Sequence, residues 1–110
     1  MECQINIMGT EWTVMFQDEP LEGGRTLGMT KADERKIFVT RSGVSDDLFN
    51  RTLMHELMHA HLFMSGLNEL FDEKECEAIC VMVENFVKVL QLQKGVIIQK
   101  KAKKKSKKKR

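Results

Sequence analysis

Two histidines four residues apart, His55 and His59, sit inside a stretch whose apolar residues recur at helical spacing, and nothing else in the chain constrains its fold as much. Leu48, Leu53, Leu57, Ala60 and Met64 set the period. Ser45 is placed to cap its start, Asp46 and Asp47 suit the positive end of a helix, and Gly66 marks its stop. A four-residue step is about one helical turn, so both imidazoles fall on one face and can share a metal ion. Glu56, between them, is turned about 100° round the helix, beside such a metal rather than on it. His55-Glu56-Leu57-Met58-His59 is thus an H-E-x-x-H motif: zinc accepts neutral imidazole nitrogen, and the glutamate is placed as a general base.

Asp72 followed by Glu75 makes a capping-box start for a second helix, on which Cys76, Ile79, Cys80, Val83, Val87 and Leu90 recur as far as Gly95. The connection over residues 65–71 is short, so the helices are expected to be antiparallel neighbours. A mononuclear zinc site needs a third protein ligand, and depth along this pair sorts the acids. His59 lies roughly 10 Å from the end of its helix and Glu77 roughly 7 Å into the next, so their levels match, while Glu84 at roughly 18 Å is too deep for the metal. Glu73 sits at the loop but nearer the centre of the apolar stripe, so periodicity leaves both Glu77 and Glu73 open. Cys76 and Cys80, also four apart, could instead complete a closed Cys2His2 site, although free cysteine on an apolar stripe is an ordinary small core residue. His61 points about 240° round from His55, off the metal face. A third histidine six residues beyond His59 is missing, because Ser65 stands there. Met54, Met58 and Met64 read as core filler and Trp12 as a packed strand residue.

The first forty residues follow a different period. Residues 3–8 (CQINIM) and 11–17 (EWTVMFQ) favour strands and flank Gly9-Thr10 as a hairpin. DEPLEGG is a loop, and LGMT and KIFVT flank KADER as a second hairpin with Ile37 to Thr40 as its returning strand. The expected fold is α+β: a small antiparallel sheet of three or four strands packed on two antiparallel helices, in one domain over residues 1–95.

Charge is unevenly placed. Nine of the 18 Lys and Arg residues fall in the last eleven positions, KKAKKKSKKKR, leaving nine basic against 16 acidic residues before them. An acidic body repels polyanions, so any nucleic-acid contact is expected in the tail, residues 96–110, which is read as Lys-rich and disordered. No apolar run approaches the roughly 20 residues of a membrane span, and the start lacks the pattern of a signal peptide. Three cysteines form no even framework, so free thiols, a cytoplasmic location and no membrane partner are expected.

RTLMHELMHAHLFMSGL followed by DEKECEAICVMVENFVKVL resembles the short H-E-x-x-H proteins encoded by bacteriophages of Gram-positive bacteria, a minimal zincin related in outline to the ImmA/IrrE-type metallopeptidases. The likeness covers most of residues 1–92 and excludes the Lys-rich tail. It implies a zinc metallopeptidase acting on a peptide or protein substrate in the host cytoplasm, with a repressor-like regulator as the substrate by analogy. It carries the ligand roles onto His55 and His59 and the base onto Glu56. In such proteins an acid in the first turns of the second helix completes the site, which falls on Glu77 in ECEA. If Ile37 to Thr40 were the sheet edge facing the cleft, it would bind the peptide as an added strand. The chain has no tyrosine to donate to a tetrahedral oxyanion. The rival expectation is a non-enzymatic, zinc-stabilised regulator or binding module whose basic tail contacts nucleic acid.

Overall fold

The computed structural model describes residues 1–19 and 26–108, with side chains as far as Leu92. Strands β1 (Glu2–Ile7) and β2 (Thr10–Gln17) form the first expected hairpin. Met8 and Gly9 both take positive φ, 51° and 88°, the conformation a two-residue hairpin turn requires, and the Gly9 N–H donates to Asn6 Oδ1 at 2.9 Å. Strands β3 (Gly28–Lys31) and β4 (Lys36–Thr40) form the second, around a 3-10 turn at Ala32–Glu34. Residues 20–24 of the expected loop lie outside the described residues.

The fold is α+β, but the sheet is mixed rather than antiparallel. Its order is β1-β2-β4-β3, with β2 and β4 parallel in the register Thr13↔Lys36 to Gln17↔Thr40. The reason lies in the strands themselves. Ile37 and Val39 have no exposure and Thr40 almost none, so β4 takes an inner place, while the short β3 takes the edge. Ile37 to Thr40 is therefore not the free edge expected of it.

Helix α1 (Asp46–Met64) begins as read: Ser45 Oγ accepts from the Leu48 N–H at 3.2 Å. Gly66, at φ 79°, takes the left-handed position just beyond its end. At the start of α2 (Glu73–Lys108), Asp72 Oδ1 accepts from the Glu75 N–H at 2.7 Å while Glu75 Oε1 accepts from the Asp72 N–H at 3.0 Å, a reciprocal capping box. Gly95, the expected end of this helix, lies inside it. One glycine costs only about 1 kcal/mol in a run of Lys, Gln and Ala, which are good helix formers. The side chains of residues 93–110, on which the expected character of the tail depends, lie outside the described residues.

Ile7, Trp12, Val14, Ile37 and Val39 from one sheet face close on Ala60 of α1, with Phe49, Leu53, Leu57 and Met64 around them. Trp12 is fully buried and meets Phe63 edge to face at 6.3 Å. A second, smaller cluster of Leu62, Cys76 and Cys80, with Met58, Phe71 and Ile79, joins the two helices. Met54 departs from its expected role as core filler: it belongs to neither cluster and is 42% exposed. Among the described residues no helix is long and apolar enough to cross a membrane.

Candidate metal centre

The antiparallel helix pair sets a face of α1 bearing His55 and His59 against a face of α2 bearing Glu77, Cys80 and Glu84. The last three are spaced i, i+3 and i+7 and so share one side of their helix. The imidazole rings are 5.2 Å apart, centroid to centroid. Glu77 spans them: Oε1 lies 2.9 Å from His55 Nε2 and Oε2 lies 2.9 Å from His59 Nε2. Each ring nitrogen thus meets its own oxygen of one carboxylate, and zinc is an ion that takes imidazole and carboxylate together. The level argument that matched Glu77 to His59 agrees with this contact. Glu73 lines the mouth of the adjoining cleft, and among the described residues only Glu77 and Glu84 pair with these imidazoles.

One acid of the second helix takes a place that the sequence did not show. Glu84, expected to lie too deep to be a metal ligand, places Oε1 3.2 Å from Nδ1 of His55, on the other side of the ring from Glu77. Cys80 has no exposure, and its sulfur and a ring nitrogen of each histidine all lie within 4.8 Å of one another. Burial, with the negative charges of Glu77 and Glu56 nearby, pushes the Cys80 thiol up to about 12. Cys76 is buried too, but its sulfur turns to the Phe71 carbonyl at 3.9 Å, so the two cysteines do not act as a matched pair. Cys3 is free and exposed.

Glu56 is buried beneath the edge strand, only 8% exposed. Its Oε1 accepts from Thr30 Oγ1 at 2.8 Å. Gly28 makes this approach possible, since a Cβ there would stand 2.7 Å from Thr52 Cγ2 and 3.0 Å from Glu56 Cγ. Burial raises the Glu56 carboxyl above its ordinary range, and the Glu77 charge adds to this. The Thr30 hydrogen bond and the two histidines pull the other way. His61 is exposed, its Nδ1 paired with the Leu57 carbonyl at 2.7 Å, and it takes no part in the contacts of His55 and His59 with Glu77.

The site opens into a cleft of about 1210 Å³ between β3, α1 and the start of α2. Its lining includes Gly28, Met29 and Thr30 of β3, Glu56 of α1, and Asn68, Glu73 and Lys74 from the connection and the start of α2. Asn68 and Lys74 bring N–H donors to a chain without tyrosine. No family model, no curated protein and no solved structure matches the chain.

Proposed function

We propose that the chain is a zinc-dependent metallopeptidase whose metal is held by His55, His59 and Glu77. The observation that carries this reading is the Glu77 carboxylate across both Nε2 atoms, with the Glu56 carboxyl facing the same cleft one residue from His55. Zinc in that place supplies Lewis-acid chemistry, lowering the pKa of a water and polarising a carbonyl. Glu56 takes the proton of the attacking water and passes it to the leaving amine. Thr30 holds Glu56 in place through its hydroxyl. The outer edge of β3, which among the described residues pairs only with β4, is the strand that an extended peptide would join, in place of β4. Asn68 or Lys74 would donate to the oxyanion from the rim.

The second reading, a non-enzymatic zinc-stabilised module, is favoured by one observation, the buried Cys80 beside the histidines: a centre closed by four protein ligands is the hallmark of structural zinc. The deciding experiment pairs metal analysis with a peptide-library cleavage screen. About one zinc per chain, lost in His55→Ala and His59→Ala, together with cleavage lost in Glu56→Gln, is expected of the enzyme. Full zinc occupancy in the double histidine variant would remove the site, and zinc without any cleavage would leave the module.

A further inference from the structure

The metal centre has a donor on its buried side that the hydrolase reading does not use. Cys80 lies on α2 three residues after Glu77, has no exposure, and approaches His55 and His59 together. Zn–S bonds of about 2.3 Å and Zn–N bonds of about 2.0 Å put sulfur and nitrogen roughly 3.5 Å apart in a tetrahedral site. The 4.8 Å envelope of these three atoms is close to that without any ion drawing them in. Glu77 meets the same two histidines from the exposed side, its side chain 54% accessible.

We propose that Cys80 is a fourth protein ligand of this centre, binding the metal from the interior while Glu77 binds it from the cleft. This rests on the metal reading of His55 and His59 given above. On binding, the S–H bond gives its electron pair to the metal–sulfur bond and its proton to solvent, with no change of oxidation state. The ion favoured is one that accepts both nitrogen and soft sulfur, zinc above magnesium or calcium. The resting centre is then closed. Glu77 is the ligand free to give way to water or substrate, because Cys80 is walled in by Leu62, Cys76 and Ile79.

The test uses the full chain loaded with cobalt(II), which reports sulfur ligation by a sulfur-to-cobalt charge-transfer band in the near ultraviolet. The band is expected in the parent and in Cys76→Ser and absent in Cys80→Ser, and the parent should release one more proton per cobalt than Cys80→Ser. Zinc competition with a chromophoric chelator should show Cys80→Ser binding more than about tenfold more weakly than Cys76→Ser. Cobalt bound through His55 and His59 without the band in the parent overturns the Cys80 assignment and leaves the three-ligand reading intact. Cobalt not bound, or bound equally well by the double histidine variant, overturns the metal reading itself. The parent spectrum decides the matter even if Cys80→Ser fails to fold.

Discussion

Glu84 and Glu77 hold one ring from both ends: Glu84 Oε1 stands 3.2 Å from Nδ1 of His55, and Glu77 Oε1 stands 2.9 Å from Nε2 of the same residue. A carboxylate that accepts the Nδ1 proton of a histidine fixes the tautomer in which Nε2 is free for a metal, and it holds the ring plane as well. Glu84→Ala should therefore weaken zinc binding by about 10- to 100-fold. Glu84→Gln, which still offers an acceptor oxygen, should recover part of the loss. Chelator competition measures both, and unchanged affinity in Glu84→Ala would show that Glu84 does not orient the ring.

Glu56 and Glu77 should separate base from ligand. Glu56→Gln preserves shape and the Thr30 contact, so the variant is expected to fold and to hold zinc like the parent, while cleavage of a peptide falls by about 10²- to 10⁴-fold. Glu77→Ala should lose metal affinity and activity together. Loss of zinc in Glu56→Gln would reassign that residue as structural.

Gly28 is where the edge strand comes down on α1. Gly28→Ala drives a methyl group against Thr52 Cγ2 and the Glu56 side chain, an overpacking expected to cost about 1–3 kcal/mol in denaturant unfolding. Thr52→Ser removes the nearer clash and can keep the hydroxyl bond to the Leu48 carbonyl, so the double variant should regain much of the stability. A fully stable Gly28→Ala would mean that β3 can lift away from the helix.

The Lys-rich end carries its own expectation, independent of the metal. Binding of the chain to a nucleic-acid duplex should show little sequence preference and weaken steeply as salt rises, as phosphate neutralisation does. Deleting residues 100–110 should abolish it and leave zinc content unchanged. Binding that ignores salt would refute this account.

What the sequence made legible was local. Ser45 and the Asp72–Glu75 box each act within four residues and form as read, and the first hairpin forms with its turn at Met8-Gly9, one residue before the expected Gly9-Thr10. The α1 face bearing His55 and His59 followed from helical spacing, and the match of level with Glu77 followed from helix rise. The mixed sheet was not legible, because no residue near β2 says which later strand will lie beside it. The unbroken apolar run Ile37-Phe38-Val39 was the one sign that β4 would be interior. Helix rise places Glu84 too deep for a shared ligand, but it carries no information about the Nδ1 side of the His55 ring, where Glu84 in fact lies. The burial of Glu56 depends on Gly28 and Thr30, more than twenty residues away, and no periodicity carries that information.

The parallel seam between β2 and β4 also bears on how the chain assembles. Both hairpins join strands that are consecutive in the chain, whereas Thr13 must find Lys36, 23 positions on. Closing a loop of that length costs about 3 kcal/mol in chain entropy by the logarithmic law, before Val14, Ile37 and Val39 are brought together to offset it. Joining the two hairpins along that line is therefore expected to be the slow step of folding, ahead of the local turns. A substitution at Val14 or Val39 is felt in the speed of folding as well as in its equilibrium, and the edge strand that walls the cleft is in place only after the line has closed.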